Sequence, residues 1–149
     1  MIILNKQRKR IHQLYDVVYD IDKTYENYAR SKGLSYNEML LFYILLEEET
    51  DRMTQKHICD ELEIPKTTLN SIIKNLLNKE YITLKTNEDN KKEKFVVLTS
   101  LGKEYANELI LPLFKIEEEA ISKITDIELE LFQKIQTTFG EHLKKELKL

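Results

Sequence analysis

Between Ile64 and Ile82 the chain runs IPKTTLNSIIKNLLNKEYI, and at about 100° per residue its side chains separate onto opposite halves of a helix. Thr67, Asn70, Ser71, Lys74, Asn75 and Asn78 form the polar half, and Leu69, Ile72, Ile73 and Leu76 the apolar one. The polar half contains no acid in a chain with 26 acidic residues, whereas a merely solvated face is expected to mix signs. Small hydroxyls, amides and a lysine can hydrogen-bond phosphate oxygens and base edges without repelling a duplex. The apolar half is a core face.

Other reactive residues do not assemble into a site. His12, His57 and His142 are spread over three elements, without the local spacing of a metal centre. Glu117, Glu118 and Glu119, like Glu47, Glu48 and Glu49, are consecutive, so on a helix they point around it rather than converge. There is no glycine-rich phosphate loop and no pairing of nucleophile with base, so we expect no catalysis, no cofactor and no metal. One cysteine excludes an internal disulfide, and no apolar run approaches the roughly 20 residues that span a bilayer. The opening MIILNKQRKR places its apolar run before its basic cluster, the reverse of a secretory signal, so a cytoplasmic protein is expected.

The elements that would position the Ile64–Ile82 helix can be read in order. Ile11, Leu14, Tyr15, Val18, Tyr25 and Ala29 share one stripe of a long first helix, closed near Lys32-Gly33. SYNE, residues 35 to 38, is a capping box ahead of MLLFYILLEE, apolar around most of its circumference and hence a core helix. Thr54 can cap a short helix QKHICDELE, and Pro65 suits the first position of the next helix, where it loses no hydrogen bond. YITLKT and KFVVLT, separated by NEDNKKE, predict a two-stranded ribbon with a charged tip. A long helix follows from Thr99, with a bend expected at Pro112. TDIE, residues 125 to 128, then opens a last helix striped with Leu131, Phe132, Ile135, Phe139, Leu143 and Leu147.

Charge follows the same division. Residues 1–51 carry 7 basic and 9 acidic side chains, residues 52–99 carry 9 and 7, and residues 100–149 carry 7 and 10. Only the middle third is net basic. A helix, a turn, a two-sided helix and a basic ribbon in that order describe a mainly α winged helix-turn-helix, with DNA as the leading ligand. The alternative is a winged helix that docks on a protein through the same face, without specific DNA binding.

From residue 54 to 102 the chain resembles the multiple-antibiotic-resistance regulator (MarR) family of transcription factors. QKHICDELEIPKTTLNSIIKNLLNKEYI, a charged wing, and LTSLG at residues 98 to 102 carry the resemblance. It implies a single domain over 1–149, with a DNA-binding lobe at 34–99 and homodimerisation helices at 1–33 and 100–149. Lys66, Thr67, Thr68, Asn70, Ser71 and Lys74 would then face the major groove, and Asn90, Lys91, Lys92 and Lys94 of the wing the minor groove. The family's Asp-x-Arg of the wing is Asn90-x-Lys92 here, and Glu63 stands where many such turns have glycine. Cys59 falls at the small-residue position facing the recognition helix, which makes it a buried packing thiol.

Seven of the thirteen aromatic residues lie between Tyr15 and Tyr43. Packing accounts for most such rings. Relatives often take an aromatic or lipophilic effector between dimerisation helices and DNA-binding lobe, and there the resemblance offers Tyr15, Tyr19, Phe42, Tyr43 and Leu46. The expected function is a dimeric, effector-modulated regulator, most simply a repressor, on a two-fold symmetric operator.

Overall fold

A computed structural model describes residues 6–48 and 52–149. The apolar start at residues 1–4, and Glu49, lie outside them. The elements are α1 (Lys6–Ser31), α2 (Tyr36–Glu47), β1 (Arg52–Thr54), α3 (Gln55–Glu61), α4 (Lys66–Asn78), β2 (Ile82–Thr86), β3 (Lys94–Leu98), α5 (Ser100–Ile121) and α6 (Asp126–Leu147). They fall into two compact units, Met1–Ile110 and Leu111–Leu149.

The first unit is built around α2. Ser35 and Glu38 form the expected capping box, and Met39, Leu41, Phe42 and Leu45 of α2 are fully buried. Against them pack Ala29, Ile58, the Leu69, Ile72, Ile73 and Leu76 face of α4, and Ala106 and Ile110 of α5. The apolar half of the 64–82 helix is thus a core face.

Four helices end in one way, α6 among them with Leu149 N donating to Lys144 O around the left-handed Lys148, and the other three lie in the first unit. Leu34 N donates to Ala29 O, Ile64 N to Cys59 O and Tyr81 N to Leu76 O, each near 3.0 Å, around a left-handed residue: Gly33, Glu63 and Glu80. This is the Schellman closure, with an apolar residue following the left-handed one. At Glu63 and Glu80 it costs about 1 kcal/mol that glycine would avoid. Glu63 therefore makes the turn between α3 and α4 with positive φ (51°).

The sheet corrects the expected two-stranded ribbon. β2 and β3 pair antiparallel, Ile82 opposite Leu98 and Thr86 opposite Lys94, but β1 adds to the other edge of β3 and gives the order β1-β3-β2. Met53 is buried, and Arg52 lies over the Phe95 ring at 4.8 Å. Thr54 then caps α3 through its hydroxyl, which accepts from His57 N at 3.1 Å. Pro65 is the residue ahead of α4 rather than its first helical residue, one position earlier than expected.

LTSLG locks α5 to the α4–β2 junction. Thr99 donates through Oγ1 to Glu80 O at 2.7 Å and through its backbone N–H to Tyr81 O at 3.0 Å, while Oγ1 accepts from Gly102 N at 2.9 Å. A Cβ on Gly102 would lie 1.8 Å from Tyr81 O. Only a glycine lets the two backbones meet there.

In the second unit α5 continues through Pro112 as an unbroken helix, and α6 opens on the Thr125–Glu128 capping box. No residue of α6 is buried within the chain, and Leu131, Phe132, Ile135, Leu143 and Leu147 are 44–59% exposed.

Candidate nucleic-acid interface

With one face of α4 in the core, the other carries Lys66, Thr67, Asn70, Ser71 and Lys74 outward, all exposed, and Thr68 half-buried at the boundary. Ser71 donates to Thr67 O at 3.2 Å, which leaves its oxygen free to accept. Among the described residues Lys66 and Lys74 take part in no salt bridge.

Asn75 departs from the rest of this face. Its amide donates to the carboxylate of Glu38 on α2. Glu38 also accepts from Ser35 N at 2.9 Å and is only 9% exposed. Burial pushes its pKa up, but hydrogen bonds from the Ser35 backbone and hydroxyl and from Asn75, with Lys79 nearby, outweigh that push. The carboxyl is held below the ordinary range. An acid does therefore reach α4, from a different helix and at its inner edge. Asn75 fastens the recognition helix to the core.

The aromatic cluster beneath is continuous with this link. Tyr81 and Tyr105 stack with centroids 4.5 Å apart, and Phe42 meets them edge-on at 6.0 and 5.3 Å. Burial, then Tyr81 and Glu38, raises the Tyr105 pKa. Phe42 is fully buried in this cluster, a core residue. Of the other effector candidates, Tyr15 and Tyr19 are 52% and 64% exposed on α1, while Tyr43 and Leu46 are half-buried on α2.

The wing tip is shaped by its asparagines. Asn87 Oδ1 accepts from Asp89 N at 3.1 Å and Asn90 Oδ1 from Lys92 N at 3.3 Å, and Glu93 N donates to Asn90 O at 2.8 Å. Such side-chain turns hold a loop without glycine. Asn90 is thereby occupied with forming the tip, while Lys91, Lys92 and Lys94 are exposed.

Between α3, the start of α4 and the wing lies a cleft of about 580 Å³, lined by Gln55, Lys56, Cys59, Lys66, Leu84, Lys92, Glu93 and Lys94. Two residues are placed differently from expectation. Cys59 is half-buried on this wall, not a fully buried thiol. Lys56 was not among the candidates, yet it lies three residues before Cys59, so facing Cys59 towards α4 places Lys56 on the same stripe. Among the described residues no group of three or more His, Cys, Asp or Glu could hold a metal ion, and no helix is long and apolar enough to cross a membrane.

This geometry matches known proteins. A model of the MarR family matches residues 32–93. An uncharacterized HTH-type transcriptional regulator of Bacillus subtilis, YwoH, is 29% identical over 132 residues, 89% of this chain and 94% of its own. Among solved structures, AbsC, a MarR family transcriptional regulator from Streptomyces coelicolor, superposes with a TM-score of 0.75 at 20% identity, covering 97% of this chain and 99% of that one. MepR of S. aureus, in complex with DNA, gives 0.68 at 16% identity over 89% of this chain and 97% of its own.

Proposed function

We propose that the chain is a winged helix-turn-helix transcriptional regulator of the MarR family that binds duplex DNA sequence-specifically as a homodimeric repressor. The observation that carries this reading is the outer face of α4, whose Lys66, Thr67, Asn70, Ser71 and Lys74 are exposed with no acid among them. Lys66 and Lys74 supply phosphate contacts. Asn70 and Ser71 meet base edges, each good contact contributing about 1–3 kcal/mol of discrimination. The wing lysines Lys91, Lys92 and Lys94 add contacts in the flanking minor groove. Lysine, a strongly hydrated point charge without the guanidinium fork, makes that contact less selective for groove width than arginine would.

A second copy of the chain is the partner for α6, where Leu131, Phe132, Ile135, Leu143 and Leu147 are exposed, and Val17 and Ile21 of α1 are likewise 60% and 53% exposed. Two-fold symmetry then sets two α4 helices about 34 Å apart, in successive major grooves. A small aromatic or lipophilic effector, bound near Tyr15, Tyr19, Tyr43 and Leu46, would release DNA by preferring a dimer with another helix spacing.

The MepR complex with DNA supports the ligand class. The test is a fluorescence-anisotropy titration against the DNA upstream of the protein's own coding region, with salt varied and small aromatic compounds added. Binding should exceed that to an unrelated duplex of equal length, and an effector should weaken it. Equal affinity for both duplexes would overturn specific regulation, and no binding even at low salt would leave the lobe a protein-docking module.

A further inference from the structure

Burial sets how deep α4 sits, but not how it is rolled about its own axis. Leu69, Ile72, Ile73 and Leu76 are held by apolar contact, which is non-directional. The hydrogen bond of Ser71 stays within the helix, at Thr67 O. Among the described residues the only side-chain hydrogen bond from α4 to another element runs from the Asn75 amide to the carboxylate of Glu38 on α2. Glu38 is itself fixed: its other oxygen accepts from Ser35 N at 2.9 Å, its own N–H donates to Ser35 Oγ at 3.2 Å, and it is 9% exposed. Asn75 lies one turn beyond Ser71 on the same stripe, at the edge of the outer face. A roll of about 15° carries a side-chain tip about 6 Å from the axis through about 1.5 Å. Hydrogen-bond lengths span only about 2.7–3.2 Å, so such a roll takes Asn70 and Ser71 off the base edges.

We propose that Glu38 is a positioning residue for sequence recognition: through Asn75 it fixes the roll of α4, and with it which base edges Asn70 and Ser71 meet. This rests on the DNA-binding reading above and deepens it. Glu38 acts from within the protein, through the helix it holds and not through contact with the duplex. The link has a polarity, with the donor on α4 and the acceptor on α2, and that polarity can be reversed. With Glu38→Gln and Asn75→Asp together, the amide introduced at position 38 donates to the carboxylate introduced at position 75, while its oxygen still accepts from Ser35 N.

The test is an anisotropy titration of the full-length protein, at neutral pH, on a duplex it selects and on an unrelated duplex of equal length, read as the ratio of the two affinities. Asn75→Asp sets two carboxylates against each other and should lower that ratio about tenfold, the equivalent of one base-edge contact. Adding Glu38→Gln should restore it to within about threefold of the parent, as expected of two residues that act as a pair. The charge introduced at position 75 is still present in the double variant, so repulsion of phosphates does not account for such a recovery. Asn75→Ala opens the link without adding a charge and decides the matter if Asn75→Asp does not fold. It should lower the ratio by a similar factor, with preference weakened at each position that Asn70 and Ser71 read. An unchanged ratio in Asn75→Ala overturns the positioning role while sparing the DNA-binding reading. So does a folded double variant no better than Asn75→Asp alone, or a loss confined to one base position, which would make Asn75 itself a base contact. A parent protein that does not discriminate between the duplexes overturns both.

Discussion

Replacing Gly102 by Ala tests why the LTSLG sequence matters. The added Cβ would stand 1.8 Å from Tyr81 O and 2.6 Å from Tyr81 C, where real contacts do not fall below 3.0 Å, so α5 or the α4–β2 junction must retreat by at least 1.2 Å. Both contacts are to backbone and cannot be relieved by turning a side chain. Overpacking of this kind costs about 1–3 kcal/mol. A shift that large also stretches the 2.7 and 3.0 Å bonds from Thr99 to Glu80 O and Tyr81 O, at about 1 kcal/mol each. Alanine returns about 1 kcal/mol of helix propensity. The net expectation is a loss of about 2–4 kcal/mol, a large share of a stability of about 5–15 kcal/mol. Urea unfolding at fixed protein concentration measures it. Gly140→Ala in α6, whose added Cβ meets nothing within 4 Å, is the reference and should gain about 0.5–1 kcal/mol. If Gly102→Ala is as stable as the parent or more so, the close approach of α5 to Tyr81 is wrong.

Glu38→Gln should remove part of the acid sensitivity of folding. The folded-state pKa of Glu38 lies below its ordinary value, so the carboxylate adds stability above about pH 4.3 and loses it as pH falls through the lower folded value. Urea midpoints from pH 6 to pH 3 should therefore fall less steeply in the variant, and parallel curves would remove Glu38 from the account. Lys92→Ala should weaken DNA binding on every sequence and flatten the salt dependence by about one contact, measured by anisotropy. Leu131→Asp with Leu143→Asp should turn a sedimenting dimer into a monomer at micromolar concentration. A parent that is already monomeric there would remove the α6 interface and the operator geometry with it.

What the sequence reveals here depends on how local each signal is. The capping boxes at Ser35 and Thr125, the two faces of α4 and the positive φ at Glu63 follow from a few neighbouring residues, and all stand in the structure. β1 was hidden because Arg52-Met53-Thr54 has too few residues to show alternation, and its strand character comes from β3. The Asn75–Glu38 link joins residues 37 positions apart, beyond any helical wheel. Glu80 resembles any helix-ending polar residue, and its left-handed backbone follows from where Tyr81 must dock. Lys56 and Cys59 fail for the same reason, since a cleft formed by three elements belongs to none of their sequences.

The central claim is that the outer face of α4 reads DNA sequence. Selection from a pool of randomised duplexes, carried out in parallel with the parent protein and Asn70→Ala, addresses it most directly. The parent should enrich one two-fold symmetric sequence with half-sites centred about 10–10.5 base pairs apart. Asn70→Ala should lose preference at one position of each half-site while keeping the others. A parent pool that stays as random as the input, or an unchanged preference in Asn70→Ala, would contradict the assignment.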